Sequence, residues 1–478
     1  MAFDDLSQFL QAAADAGELE RITVELNADQ EIAAVTQEIC RAFRDRSPVI
    51  LCEHVIGSSI PVVTNLFGSP SRFLRTLGCS QLDEAVTRLE SVLLPGSGLG
   101  DASGTGRPVA GSLERQRLLP RVIRRAACQQ VIKLAREIDL AQLPLLRSWP
   151  EESHAVMNAG IALARLPHGA IEAGRLSAAV LDRGRCLLIP QSPEQAGRLF
   201  EPETFAAAPQ QQLPVALTVG GDPLLGYVAG LPFPVDPWTL AGFLRNENVN
   251  LVRARSVELD VPAEAEIVME GYLELLPEPV TVRIANSQGL VQPVLSRVVM
   301  QVTAITHRAN PLLPAHILNY EFQEDCVTNS LTERLLLSLA RFLNREITDL
   351  HFPVASASRG MVYVGLASSE PNRVQQALQT VAGLPLLRTA RLIAGFPAHT
   401  PLRNPEAIVR DLSLCRAVSQ QASLSAALQG PCFLDATGLT SPGTAGYHRG
   451  QASELVLSQI ADRLGAREIP PARQLAGI

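Results

Sequence analysis

Sequence motifs of several common enzyme classes are missing from this chain of 478 residues. Its eight cysteines never approach one another as Cys-x-x-Cys, so neither a zinc knuckle nor a thioredoxin-like pair is indicated. No His-Glu-x-x-His, Gly-x-Ser-x-Gly or Walker phosphate loop occurs either, which leaves hydrolase and nucleotide triphosphatase functions without support. We therefore expect the cysteines to be reduced, mostly buried thiols.

A basic excess and a long hydrophobic run are also lacking. The 48 acidic residues outnumber the 41 basic ones, giving a net charge of −7 and an isoelectric point near 5.7. Such a balance does not attract phosphate backbones over a broad face, so we expect no nucleic-acid partner. Nowhere do eighteen apolar residues run together, and the opening MAFDDLSQFL lacks the basic and apolar regions of a signal peptide. We expect no integral membrane segment and a cytoplasmic location.

The pattern of elements along the chain is that of a globular α/β protein. With 46% hydrophobic residues and a mean hydropathy of +0.13, the chain predicts two or three domains. Leu6, Phe9, Leu10 and Ala13 form an apolar helical face before Gly17, and short β-branched segments follow to build an N-terminal α/β unit. Between about 127 and 320, short Pro-punctuated β segments such as VAGLPFPV and LSRVVMQVTAITHR predict a barrel or sandwich. Beyond 325, MVYVGLA, PNRVQQALQTVAG and ARLIAGF predict a right-handed βαβ unit.

One predicted strand carries a row of acidic residues. In AEAEIVMEGYLE, Glu264, Glu266, Glu270 and Glu274 alternate with apolar residues, which places the four carboxylates on one face. Crowded carboxylates can raise one another's pKa and perform acid–base chemistry. The alternative, which we favour, is that this face of the strand is solvent-exposed and has basic residues beside it on adjacent strands.

Five segments in order along the chain carry a resemblance to a known family. They are FDDLSQFLQAAADAGELERI, PVVTNLFGS, the run from AACQQVIKL to IDLAQLPLLRSWPEE, VPAEAEIVMEGY and LDATG. In these segments the chain resembles the UbiD-like carboxy-lyases, the polyprenyl-hydroxybenzoate decarboxylase family of ubiquinone biosynthesis. The resemblance implies an α/β (α+β) fold with an N-terminal α/β domain at 1–115, a central split β-barrel of the flavin-binding type at 116–322 and a C-terminal α/β oligomerisation domain at 323–478. It also implies prenylated FMN held through its phosphate by Mn²⁺, with K⁺ nearby.

The resemblance assigns site residues to one strand first. The family's Asn-x-Gly-x-Tyr-Arg strand supplies a metal-ligating Asn and a catalytic Arg, and the matching residues here run from Glu172 to Ser177. Glu172 therefore stands at the metal-ligand position and is a candidate for contact with metal and cofactor. Ser177 stands at the arginine position as a cofactor-contacting residue. Arg175, two residues earlier on the same strand face, is the candidate catalytic cation.

The remaining landmarks depart further from the family pattern. The ligand histidine has no counterpart in LLIPQSPEQAG, and the ligand glutamate falls on Pro237, which leaves Asp236 as a candidate metal ligand. Trp238 beside it is a candidate cofactor contact, with core packing as the alternative. Of the family's two acids, Glu278 matches the first and is the candidate catalytic acid, whereas Arg283 replaces the second. Because three ligands have changed, the retention of metal and cofactor is doubtful.

Two main functions follow from these observations. The first is a UbiD-type (de)carboxylase with a rebuilt site, acting on an aromatic or α,β-unsaturated carboxylic acid. The second is a catalytically inactive member that serves as an assembly, regulatory or ligand-binding subunit, with an active UbiD-like paralogue as its partner. A third, an unrelated barrel oxidoreductase using ordinary flavin, has no residue in its favour. The resemblance further implies a homodimer or a hexamer.

Overall fold

The computed structural model describes residues 3, 5–43, 46–93, 117–190, 198–231, 236–286, 289–318, 324–353, 360–387, 390–413, 416–417 and 432–437. The helices are α1 Leu6–Asp15, α2 Glu31–Phe43, α3 Pro70–Thr76, α4 Leu82–Leu93, α5 Pro202–Ala206, α6 Pro223–Ala229, α7 Pro237–Arg245, α8 Asp325–Leu343, α9 Pro371–Gly383 and α10 Pro405–Ser413. The strands before the barrel are β1 Leu19–Ile22, β2 Val49–Cys52, β3 Val62–Thr64, β4 Arg121–Ile123 and β5 Val131–Leu134. The central strands are β6 Val156–Arg165, β7 Ile171–Val180, β8 Arg185–Pro190, β9 Gln212–Val219, β10 Asn250–Arg253, β11 Asp260–Pro262, β12 Ile267–Ala285, β13 Val291–His307 and β14 Leu313–Ala315. The last strands are β15 Ile347–His351, β16 Met361–Leu366, β17 Leu392–Pro397, β18 Arg416–Ala417 and β19 Cys432–Asp435.

The N-terminal unit packs helices on a small mixed sheet. Asp5 caps α1, its Oδ1 accepting the Gln8 amide at 2.8 Å, and the four apolar residues of the predicted helical face are buried. The sheet has the order β1-β2-β3-β14, and β14 pairs with β3 in parallel although it follows the barrel in sequence. A strand that follows the barrel in sequence therefore completes the N-terminal sheet.

The centre of the molecule is a closed six-stranded barrel. Strand order β12-β9-β6-β7-β8-β13 is closed by the pairing of β12 with β13, and β5 extends the sheet beyond β13. Side chains such as Leu176, Leu188, Leu217 and Met300 fill the interior and are completely buried. Past the barrel, β12 and β13 continue as a two-stranded arm through the pairs Val280–Ser296 to Ala285–Val291. The predicted barrel is confirmed in this form.

The C-terminal unit is the predicted α/β arrangement. Its sheet has the order β15-β16-β17-β19-β18, with β16, β17 and β19 parallel and α9 crossing from β16 to β17. The expected domain boundaries near 115 and 322 fall outside the described residues, so they stay predictions. Among the described helices, none is long and apolar enough to cross a membrane. Of the six cysteines whose side chains are described, all are free thiols and five are buried.

Two expectations about the barrel region are wrong. VAGLPFPV was expected to be β-rich, but Val228 and Ala229 end helix α6, and its residues 232–235 lie outside the described part. The acidic row is not a solvent-exposed face either, because Glu266 and Glu270 are fully buried. Glu270 accepts hydrogen bonds from the Arg255 amide at 2.9 Å and the Ser256 hydroxyl at 2.9 Å, so a loop covers this face instead of water.

Candidate functional site

A cleft on the outer wall of the barrel holds the clearest candidate site. Its walls come from α1, the segment after β3, strand β7, the β9–α6 turn and the segment around β14. It contains about 540 Å³ of unfilled space, part of it open to solvent, of which about 40 Å³ can take the centre of a water molecule. Most of the lining is apolar, including Leu6, Phe67 and Ile161, and Arg175 projects into it. We call it the arginine cleft.

Arg175 and His316, which line this cleft, and the buried Glu324 behind them form a hydrogen-bonded chain, which we call the polar triad. Arg175 Nη2 donates to His316 Nε2 at 3.0 Å, and His316 Nδ1 contacts Glu324 Oε1. Since a guanidinium can only donate, Nε2 accepts and Nδ1 carries the proton that is donated to Glu324. The other Glu324 oxygen, Oε2, accepts the Phe67 amide at 2.8 Å. A neutral imidazole therefore links a cation at the cleft to a buried carboxylate.

The backbone around the histidine is held by a barrel side chain. Asn158 Nδ2 donates to the His316 carbonyl at 2.6 Å, and Asn158 Oδ1 accepts the His316 amide at 3.0 Å. Asn158 lies where β6 shifts its register against β7, between Met157 and Gly160. This irregularity lets a buried strand residue reach the chain segment after β14, and it fixes His316 opposite Arg175.

The floor of the cleft is the turn between β9 and α6. Gly220 and Gly221 have φ of +73° and +90°, and a Cβ on Gly221 would lie 2.8 Å from the Glu264 carbonyl oxygen. Asp222 caps α6 through the Leu224 amide at 2.9 Å, and its Oδ2 pairs with Arg245 Nη1 at 2.7 Å. This ion pair is almost completely buried, and burial raises the pKa of Asp222.

A second buried carboxyl lies behind the same turn. Glu266 is fully buried, and a Cβ on Gly220 would lie only 2.4 Å from its Cγ. Burial raises the pKa of Glu266 to about 7, although the Leu312 amide donates to its Oε2 at 3.0 Å and Arg308 is nearby. Its Oε1 has no hydrogen-bond partner among the described residues. The sequence had marked this residue only as part of an acidic face.

The structure separates the two strand residues that were expected to accompany Arg175. Side chains alternate along β7, so Glu172 lies on the opposite face from Arg175, the face that carries Leu176 into the barrel interior. Ser177 is buried on the Arg175 face, but it lines a neighbouring small cavity with Asn158. Neither residue lines the arginine cleft.

The other three candidates also lie outside the lining of the cleft. Trp238 is buried in the core between the barrel and the N-terminal unit. Asp236 is exposed and caps α7, its Oδ2 accepting the Thr239 amide at 2.8 Å. Glu278 is exposed on the two-stranded arm, where β12 shifts its register against β13. The roles assigned to Glu172, Ser177, Trp238, Asp236 and Glu278 stay predictions, and Arg175 is the one that the geometry places in a cleft.

The donor set can be tested against a metal-bridged cofactor phosphate. Such a group needs several oxygen or nitrogen ligands converging on one cation. Within the described ranges, no group of three His, Cys, Asp or Glu side chains could hold a metal ion. Asp236 is engaged in capping its helix, and Glu172 faces away from the arginine cleft. These residues do not fit the phosphate-bridging metal that the family resemblance implies.

Sequence reasoning missed His316 and Glu324. They are separated from Arg175 by 141 and 149 positions, and neither belongs to a motif or a periodic face. The Asp-Pro pair at 222–223, after two glycines, was the one local signal of a strand–turn–helix junction at the floor of the cleft.

Two family models match the chain. The N-terminal domain of 3-octaprenyl-4-hydroxybenzoate carboxy-lyase matches residues 10–89, and the Rift-related domain of the same UbiD enzyme matches 121–320. Together they match more than half of the chain. A protein of unassigned function from Aquifex aeolicus is 29% identical over 404 residues, 82% of this chain and 81% of that protein. Another from Archaeoglobus fulgidus is 27% identical over 398 residues, 82% and 80% of the two chains.

Solved structures show the same fold at low sequence identity. The vanillic acid decarboxylase of Sedimentibacter hydroxybenzoicus in open form is 18% identical with a TM-score of 0.75, over 97% of this chain and all of the other. Its closed form gives 17% and 0.76, over 97% and 99%. An evolved dimeric form of the UbiD-class enzyme HmfF from Pelotomaculum thermopropionicum, in complex with prenylated FMN, gives 19% and 0.72, over 96% and 99%.

Proposed function

The chain belongs to the UbiD family of carboxy-lyases, and on that premise we propose that it binds an aromatic or α,β-unsaturated carboxylic acid in the arginine cleft without the family's metal-bridged phosphate. The polar triad carries this proposal. The hydrogen bond to His316 Nε2 orients the planar guanidinium of Arg175, which lines the cleft. An apolar wall with one oriented cation is the arrangement that recognises a carboxylate on a hydrophobic body.

The dimensions of the cleft determine how such a ligand would enter. The part wide enough for water is about 40 Å³, enough for a carboxylate head beside Arg175 but not for an aromatic ring. The cleft would therefore have to widen to admit the ring. The similar vanillic acid decarboxylase occurs in open and closed forms, which supports opening as part of binding.

On this proposal the protein is a ligand-binding or regulatory subunit of the family, and an active paralogue would supply the carboxy-lyase chemistry. We prefer this function to catalysis because the sequence departs from the family pattern at the expected ligand positions and because the described residues hold no group of three potential metal ligands. A scaffold can keep its packing after its cofactor site is lost, because fold and site are specified by different residues.

Binding is tested by calorimetric titration with benzoate and cinnamate. Wild-type protein is expected to bind one of them, and Arg175→Gln is expected to weaken that binding by at least about tenfold, the usual value of a charge-assisted hydrogen bond. Arg185→Gln is the matched control, because Arg185 is a half-exposed barrel residue paired with Asp182 and is not in the cleft. Equal affinity of the Arg175 and Arg185 variants would refute the proposal.

A second candidate is a prenylated-FMN decarboxylase with a rebuilt site, favoured by the titratable His316–Glu324 pair at the cleft. Such a pair can transfer a proton to a decarboxylated product. To separate the two functions, the protein is produced together with a flavin prenyltransferase and analysed by mass spectrometry and metal analysis. Our proposal expects neither group to co-purify. Finding prenylated FMN with about one divalent metal per chain would establish the second candidate, and Glu278→Gln would then test the predicted acid.

A further inference from the structure

The chain contains one lysine among its 41 lysine and arginine residues, and this lysine lines a cleft that is wider than the arginine cleft. Every other basic residue is arginine, and the exception is Lys133 on strand β5. About 490 Å³ of this cleft can take the centre of a water molecule, against about 40 Å³ in the arginine cleft. It lies where the 57–61 loop, the 139–143 segment and the end of β13 meet. We call it the lysine cleft.

The strand directs this side chain inward. Along β5, Ile132 and Leu134 are exposed, whereas Lys133 between them is half-buried and crosses the cleft. Its Nζ donates to Gln142 Oε1 at 2.9 Å, a neutral partner, so the positive charge is oriented but not neutralised by that contact. The carboxylate in the lining, Asp139, is 3.0 Å from Arg183. Lys133 is therefore the one lysine or arginine in the described lining, and the carboxylate of the lining is paired with an arginine outside it.

The remaining walls combine an apolar floor with polar groups. Ile60, Leu143 and Ile305 contribute the apolar surface, and Ser58 and Asn310 contribute polar side chains. His307 also lines the cleft, and its Nδ1 donates to the Arg308 carbonyl at 2.7 Å, which leaves Nε2 as an acceptor. That Nε2 is buried and has no partner among the described residues.

From these observations we propose that the lysine cleft is a binding site for a small organic anion, a carboxylate or phosphate on an apolar body. A volume of about 490 Å³ is within the range of small-molecule sites. An ammonium is a compact point charge with three donors, which a planar guanidinium does not reproduce, and this gives a physical reason for a lysine in a chain that otherwise uses arginine. The site is distinct from the arginine cleft, because the two share no lining residue.

The single lysine makes the test direct. Wild-type protein is treated with trinitrobenzenesulfonate, which modifies amines, and the peptide containing Lys133 is quantified by mass spectrometry. Benzoate, phenyl phosphate and inorganic phosphate are added as protecting probes. We expect at least one organic probe to protect Lys133 saturably, by about tenfold or more. Inorganic phosphate protecting as well as phenyl phosphate would show that the apolar floor adds nothing and would overturn the organic-anion assignment.

Variants then separate the lysine from the rest of the surface. The probe that protects is titrated by calorimetry, and we expect Lys133→Met to weaken its binding about tenfold or more, with Lys133→Arg intermediate. Arg136→Gln is the matched control, since it removes one positive charge three residues away on the exposed side of the segment. Binding is also expected to survive Arg175→Gln, so failure of this site is distinguishable from failure of the arginine cleft. No protection of Lys133 by any probe, or equal affinity of Lys133→Met and wild type, would refute the proposal.

Discussion

Replacing Glu266 by glutamine should remove a pH-dependent weakness of the barrel. In the folded protein, burial raises the pKa of this carboxyl from 4.5 to about 7, whereas the unfolded chain exposes it to water. Between these two values the folded state binds a proton that the unfolded state has released. Stability therefore falls as pH rises from about 4.5 to about 7, and the loss is complete above that range.

The magnitude follows from the size of the shift. One pKa unit corresponds to about 1.4 kcal/mol, so a rise from 4.5 to about 7 costs the folded state roughly 3 kcal/mol at pH 8. Glutamine has nearly the same shape and does not titrate. Near pH 4 the wild type carries a neutral carboxyl in both states and should differ from Glu266→Gln by a constant amount. At pH 8 the wild type should have lost roughly 3 kcal/mol relative to the variant.

The assay is urea unfolding followed by tryptophan fluorescence at pH 4, 5, 6, 7 and 8, with both proteins measured in the same buffers. Comparing the two proteins at each pH cancels the titration of every other group. Glu258→Gln is the matched control, because the Glu258 side chain is 82% exposed and its loss should change stability by less than about 0.5 kcal/mol at every pH. A difference between wild type and Glu266→Gln that stays constant from pH 5 to pH 8 would refute the assigned ionisation.

Three further predictions concern the cleft and its supports. Gly221→Ala should lower the free energy of unfolding by about 2 kcal/mol or more, because φ is +90° and the new Cβ would lie 2.8 Å from a carbonyl oxygen. Gly174→Ala is the control, because a Cβ there meets nothing within 4 Å, and thermal unfolding should show almost no change in its stability. Arg245→Met should lower the free energy of unfolding by about 3–5 kcal/mol at pH 7, because it leaves Asp222 buried without its cation. The loss should become smaller as pH falls, since the Asp222 carboxyl is then protonated. A loss of stability that does not change with pH would contradict the charge argument. Asn158→Ala should weaken benzoate binding about tenfold and change the histidine tautomer signals in ¹⁵N NMR, whereas unchanged spectra would show that the amide does not hold the triad.

Much of the fold could be predicted because it depends on local periodicity. Helix α1 has the predicted apolar face, with Leu6 and Phe9 buried, and it ends before Gly17, because helical periodicity is set within one or two turns. The parallel pair β16 and β17 with α9 between them follows from strand and helix patterns and the handedness of the crossover. Alternation along β7 likewise put Arg175 and Ser177 on one face.

The site could not be predicted in the same way, because periodicity fixes which face a residue occupies but not what that face meets. Acidic and apolar residues alternate from Glu264 to Glu274, a pattern typical of a strand with one solvent-exposed face. Other segments of the chain cover that face, and Glu266 is buried with one carboxylate oxygen that has no partner among the described residues. The contact between Arg175 and His316 joins positions 141 residues apart and depends on the β6 irregularity at Asn158.

What the sequence by itself determined is the family and the order of its elements, since these depend on residue identity and spacing. Only the tertiary structure decided that Arg175 has a histidine and a buried glutamate behind it. It also showed that the single lysine, Lys133, crosses a cleft between separate segments. Burial and hydrogen-bond partners arise when distant segments pack together, and no local pattern encodes which segments those are.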